Sequence, residues 1–243
     1  MKKGARMTLK YDSLGWSDTY WENIATTRWG SYITGVEKRV ILRAHDLAER
    51  PTTALEVGCE GGRWSKVLFD LGWDMVCTDI DPDALEICQK RIPAAKCVLV
   101  GAKDTVLPCE TGGLGLLLCI EVIPVLRCDW FIAEAFRVLR RGGLVVGVFE
   151  NLLSLRGYVR HLMASAKGEL DYYKIAYPSW RNKFRNQGFK MIYEEGMCWF
   201  PFSRASNSPL VPVFTQMERY LGLRRLPSLS PWIVFLARKE PSV

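Results

Sequence analysis

Apolar residues recur at helical spacing through Ile33, Val36, Val40, Ile41, Ala44 and Leu47, with Glu37, Lys38, Arg43 and Glu49 on other faces; Pro51 ends the pattern. Upstream, Tyr11, Trp16, Tyr20, Trp21, Trp29 and Tyr32 follow no clean period, which predicts an irregular aromatic arm over residues 1–32. Beyond Pro51, short apolar runs alternate with helical patterns. Strands are predicted near 53–58, 75–79, 97–101, 114–119 and 143–149, and helices over 62–71, 83–91 and 129–140. Two more helices follow, 151–166 and 178–187, the second opened by Pro178 and Ser179 and closed by Gly188. Final strands at 189–198 and 232–238 complete the pattern. Such alternation is the mark of a mostly parallel sheet wrapped by helices. The connection 199–231 contains Pro201, Pro209, Pro212, Pro227 and Pro231, and so long a connection inside a compact domain is usually functional or disordered.

The 243 residues, 49% of them hydrophobic, are enough to bury one large core. The expected division is an arm and helix over 1–50, a core over 51–198 and 232–243, and an insertion over 199–231. No apolar run approaches the ~20 residues of a membrane span, and Lys2 and Lys3 are followed by polar sequence. A cytoplasmic location is expected. The eight cysteines, at 59, 77, 88, 97, 109, 119, 128 and 198, form no CxxC pair and read as buried thiols, without metal or disulfide. From Asn151 onward fourteen Lys and Arg stand against six Asp and Glu, whereas the first 150 residues carry 19 against 20. The basic bias therefore belongs to the C-terminal third, where nucleic acid, anionic lipid, an acidic small molecule and plain solvent are the candidate neighbours.

Chemistry concentrates where the first strand turns into a helix. Ala54-Leu55-Glu56-Val57-Gly58-Cys59-Glu60-Gly61-Gly62 leads directly into Arg63-Trp64-Ser65. Glycines there let a ligand approach the backbone, and free amides at the helix start bind a carboxylate. Asp79 ends the second strand 21 residues after Gly58, a place suited to accept hydrogen bonds from both ribose hydroxyls of a nucleoside. A dinucleotide fingerprint would need glycine where Glu60 and Arg63 stand. Glu60 would repel a pyrophosphate, whereas S-adenosylmethionine has no phosphate and carries a positive sulfonium and ammonium.

These residues resemble the class I S-adenosylmethionine-dependent methyltransferases, especially the ubiquinone/menaquinone-biosynthesis-type and other small-molecule enzymes. The resemblance covers roughly residues 20 to 150. Glu56, Gly58 and Gly62 match its first motif, with Glu60 at the middle glycine; Asp79 matches the ribose acid and Ile80 the residue packed on adenine. Leu107-Pro108, Leu116 to Val122 and Phe136-Arg137-Val138-Leu139-Arg140-Arg141-Gly142-Gly143 look like later motifs. The acid expected after the third strand falls on Lys103, with Asp104 adjacent.

The resemblance implies a Rossmann-like, doubly wound, mostly parallel seven-stranded sheet with the last strand antiparallel, plus an N-terminal helical arm and an insertion between the last two strands. It implies S-adenosylmethionine as cofactor, held by Glu56, Gly58, Cys59, Glu60, Gly61, Gly62, Asp79, Ile80, Asp104, Cys119 and Glu121, and methyl transfer to oxygen, nitrogen or carbon of a small molecule. Tyr20, Trp29, Tyr173 and Arg204 are expected at the substrate, and His161 is the candidate base. Tyr172, Tyr173, Tyr177 and Trp180 form either a substrate wall or core. Arg204-Ala205-Ser206-Asn207-Ser208-Pro209 either clamps an acidic group or turns the chain. Two other classes stand beside this reading: a nucleic-acid or protein methyltransferase using the basic third, and a non-catalytic protein that keeps the fold.

Overall fold

A computed structural model describes residues 19–48, 52–167 and 174–240. Tyr172 and Tyr173 of the expected substrate wall, and the arm before Thr19, lie outside the described residues. Two helices, α1 (Tyr20–Thr26) and α2 (Arg28–Leu47), precede the sheet. The arm is thus helical from Tyr20, a correction to the irregular reading. Thr27, extended at φ −78° and ψ 160°, breaks the pattern in two and caps α2 by accepting from the Gly30 amide. A Cβ at Gly30 would fall 1.9 Å from the Ile24 carbonyl oxygen, so this tight corner requires glycine.

The strands are β1 (Thr53–Val57), β2 (Asp74–Asp79), β3 (Lys96–Leu99), β4 (Leu114–Cys119), β5 (Leu139–Glu150), β6 (Phe189–Met197) and β7 (Trp232–Lys239). Between them run α3 (Arg63–Asp70), α4 (Pro82–Arg91), α5 (Ile123–Leu126), α6 (Asp129–Val138), α7 (Leu155–Lys167), α8 (Tyr177–Asn186) and α9 (Val211–Tyr220). The sheet order is β3-β2-β1-β4-β5-β7-β6, parallel except that β7 is antiparallel to both its neighbours. β4 is buried at every position, as expected for a central strand covered on both faces. β5 begins at Leu139, not 143, because Leu114 already pairs with Leu139 before the register shifts. α7 starts at Leu155 instead of 151: the Asn151 amide group donates to the carbonyls of Ser228 and Ser230, tying that residue to the insertion.

One face of the sheet packs on α2, α3 and α4 through residues such as Val36, Ile41, Leu68 and Cys88. The other packs on α6 and α8, where Tyr177, Trp180 and Phe184 are fully buried. Tyr177 and Trp180 are therefore core. His45 also serves structure, accepting from Trp73 Nε1 at 3.1 Å. No helix among the described residues is long and apolar enough to cross a membrane.

The insertion carries α9 and folds back onto α2. Its polar tract supplies acceptors to the start of that helix: the Trp29 amide donates to the Ser206 carbonyl at 3.0 Å, and the Arg28 amide to Asn207 Oδ1 at 3.0 Å. Trp29, 1% exposed, lies 5.0 Å from the Phe202 ring. The tract thus turns the chain and docks it.

Candidate functional site

The sheet reverses direction between β1 and β4: the chain runs outward from β1 to β2 and β3 on one side, and from β4 to β5 on the other. Ligands of such sheets bind in the crevice beyond the strand ends at this point. A cavity of about 750 Å³ lies there, and its lining includes Glu56, Gly58, Cys59, Glu60, Asp79, Ile80, Asp104 and Glu121. These eight expected cofactor residues are brought together. Trp21, Arg63, Trp64, Val106 and Trp130 line it as well.

The loop after β1 holds left-handed backbone at alternate residues, Gly58 (φ 66°), Glu60 (φ 48°) and Gly62 (φ 75°). A Cβ at Gly58 would meet Val122 Cγ2 at 2.4 Å, so β1 and the turn after β4 approach too closely for a side chain. Gly62 opens α3 and lies against Cys88, while Gly61 faces Thr19. Neither these two nor Cys119, in the middle of the sheet, lines the cavity.

Glu60 adopts the glycine-like conformation at a cost on the order of 1 kcal/mol. Two contacts offset it. Its amide donates to Asp79 Oδ2 at 2.8 Å, and its Oε1 accepts from the Trp21 amide at 3.4 Å. The carboxylate thus faces α1, and burial raises its pKa. Asp79 accepts in addition from the Asp81 amide at 3.1 Å. With about four lone-pair sites on a carboxylate, acceptor capacity is left for a ligand. Ile80, 63% exposed, and Val106, 66% exposed, present apolar surface inside the cavity. Asp104 folds over its own loop, accepting from the Gly101 amide at 2.6 Å.

Glu56 is buried and accepts from the Ser65 amide at 2.8 Å and from the Ser65 hydroxyl. Burial pushes its pKa up to about 8. Below the loop, the sulfurs of Cys59, Cys77 and Cys88 lie within 4.8 Å of one another. All eight cysteines are free; Cys97, Cys109 and Cys128 are only half-buried, against the expectation of full burial.

Besides those lining residues, three residues packed around the site were not expected there. Glu37 was placed on a polar face of its helix but is fully buried, with Arg63 Nη2 at 3.3 Å. The signal was available, since Glu37 stands four residues from both Ile33 and Ile41 on the apolar stripe. Glu150, at the end of β5, is 3% exposed and accepts from Arg204 Nη2 at 3.1 Å. Arg204 itself lies over the rings of Trp21 and Trp232, 5.0 and 5.1 Å from their centroids. It braces the insertion against α1, and Trp232, like Glu150, carries no motif that would have marked it. Tyr20, Trp29, Arg204 and His161, the last on α7, do not line the cavity.

Burial raises the pKa of Glu56 to about 8 and of Glu150 to about 7. For both, the folded form holds its proton after the unfolded chain has lost it. Their contribution to stability is full below the unfolded pKa near 4.5 and is lost as pH climbs through the folded values. The ligand-free protein should therefore melt at progressively lower temperature between pH ~5 and ~8. A flat or rising calorimetric profile over that span would contradict the assignment.

Residues 55–147 match the family described as a methyltransferase domain. No curated protein sequence matches the chain. Among solved structures, an S-adenosylmethionine-dependent methyltransferase from Mesorhizobium loti superposes with a TM-score of 0.60 at 14% identity, covering 83% of this chain and 97% of its own. One from Archaeoglobus fulgidus gives 0.58 at 15%, covering 91% and 100%, and one from Methanosarcina mazei gives 0.58 at 14%, covering 82% and 97%. With the domain match spanning β1 to β5 and the crevice at the ends of β1 and β4, the chain carries a region similar to a methyltransferase domain over residues 55–147, on the fold of S-adenosylmethionine-dependent methyltransferases.

Proposed function

We propose that the protein methylates a small molecule within the cavity at the ends of β1 and β4. The size of the cavity carries this reading. The cavity, about 750 Å³, has the ~300–1,000 Å³ of a small-molecule site, and α1 is tied to the cofactor loop through Glu60 and Trp21. The basic C-terminal third offers less to a polyanion than its composition suggests. Arg181 pairs with Glu194, Lys183 with Asp129, Arg204 with Glu150 and Arg224 with Glu195. Because Glu150 already compensates Arg204, an acidic acceptor gains little there.

S-adenosylmethionine supplies an electrophilic sulfonium methyl. In this reading Asp79 accepts from the ribose hydroxyls, Ile80 and Val106 cover the adenine, and the loop after β1 lies against the amino-acid part. Trp21, Trp64 and Trp130 exclude water from the cavity, and the chain's main contribution is to hold the acceptor in line with the methyl group. No side-chain base is required for an acceptor that loses its proton to solvent.

The test is to incubate the protein with cell extract and methyl-labelled cofactor. Label should enter the small-molecule fraction, and label confined to RNA or protein would overturn the reading. Independently, binding to single-stranded RNA should be weak and nearly salt-insensitive. Each phosphate contact adds ~0.7 to the log–log salt slope, so a slope of about −3 or steeper would favour a nucleic-acid substrate.

A further inference from the structure

Four of the eight cysteines gather beneath the loop after β1, each from a different element. Cys59 stands in that loop, Cys77 on β2, Cys88 on α4 and Cys97 on β3. The sulfurs of Cys59, Cys77 and Cys88 lie within 4.8 Å of one another, and all three residues are buried. Cys97 is the in-register neighbour of Cys77 across the parallel β2–β3 pair. Neighbours of this kind sit on strands ~4.8 Å apart and point to the same face, and the Cys97 thiol is within hydrogen-bonding reach of those of Cys77 and Cys88. Being half-buried, Cys97 also gives the group an edge toward solvent.

The surroundings suit a cation that prefers sulfur. Thiolates select zinc or copper(I) over magnesium or calcium, and no carboxylate or imidazole among the described residues completes this group in place of a thiol. Around a zinc ion at ~2.3 Å, tetrahedral thiolate sulfurs lie ~3.8 Å apart. Closing the three buried sulfurs onto an ion therefore needs movements below ~1 Å each. Two neighbours hold the sulfurs in place. A Cβ at Gly62 would fall 2.6 Å from Cys88 Sγ, so glycine there leaves that sulfur its room. The Cys77 thiol donates to the Ser65 hydroxyl at 3.1 Å, and the same hydroxyl can turn to donate to a thiolate, as partners behind metal ligands do.

We propose that Cys59, Cys77, Cys88 and Cys97 form a thiolate site for one zinc ion, which pins the loop after β1 to β2, β3 and α4. Binding forms four zinc–sulfur bonds and releases the thiol protons to solvent, with nothing oxidised or reduced. Four sulfurs fill the coordination and leave no position for water, so the ion's role is structural.

Metal-free protein, purified under reducing conditions and titrated with cobalt(II), tests this. The full chain should bind one cobalt, with the thiolate charge-transfer band and visible spectrum of a tetrahedral site, and zinc should displace it. Cys77→Ala and Cys88→Ala should each weaken binding by about 100-fold or more, whereas Cys109→Ala, on the other face of the sheet, should leave it unchanged. Zinc at about 100-fold its Kd should raise the melting temperature of wild type by roughly 5–10 °C. Should the alanine variants fail to fold, alkylation of wild type carries the test: zinc should slow modification of Cys97 by about 10-fold or more and spare Cys109, which is also half-buried. Failure of wild type to bind cobalt or zinc, a cobalt spectrum without the thiolate band, or binding that survives in both variants overturns the proposal. So does an unshifted melting temperature, or equal protection of Cys97 and Cys109.

Discussion

Replacing Asp79 by alanine is expected to weaken S-adenosylhomocysteine binding by about 100-fold or more, measured by calorimetric titration. Two losses combine. The ribose hydroxyls lose a charged acceptor, and hydrogen bonds to charged groups contribute ~1.5–3 kcal/mol each. The loop loses its anchor as well: the Glu60 amide, 2.8 Å from Asp79 Oδ2, would have no acceptor to hold its left-handed turn in place. Asp79→Asn separates the two effects, since the amide oxygen still accepts from Glu60 but the charge is gone. It should fall between wild type and alanine. Affinity unchanged in both variants would mean that the nucleoside sits elsewhere.

Replacing Trp180 by alanine should destabilise the fold by about 3–5 kcal/mol, a large part of the ~5–15 kcal/mol that separates folded from unfolded domains. The ring is 1% exposed and lies within 5.0 Å of Phe149, Phe184 and Phe235, with Nε1 donating to the Leu126 carbonyl at 2.9 Å. Removing it leaves a void bordered by three aromatic rings and a buried carbonyl without its donor. Denaturant titration measures the loss. A cost under about 1 kcal/mol would show that the face of the sheet under α8 is far looser than its packing implies.

The parts of this fold that follow one clear period were legible from residue types alone. β4 announced itself as an unbroken apolar run, and α3, α4 and α6 fell within a few residues of their expected ends. Asp79 and Ile80 were found because a strand end followed by an acid has a fixed place relative to the loop. What escaped notice depends on contacts between distant segments. The helical character of α1 is hidden because Thr27 and Gly30 interrupt the period just where Trp29 turns inward. Glu37 was discounted because charge usually marks a solvent face, and only the approach of Arg63 from another element makes its burial tolerable. Arg204 was expected either to clamp an acidic group or to turn the chain; its partner is Glu150 of the chain itself, something no spacing within the polar tract encodes.

The position of β7 has a consequence for how the protein is made. Among the described residues β6 pairs only with β7, and β7 lies between β6 and β5. During synthesis, β1 to β5 emerge from the ribosome able to assemble as a parallel unit, while residues 189–197 have no neighbour until residue 239 is available. For that interval the edge of β5 and both edges of β6 offer unpaired backbone to any passing strand. The nascent chain is then most exposed to mispairing and to chaperone capture, and a ribosome stalled within the insertion would release a protein with a cofactor loop but an unfinished sheet.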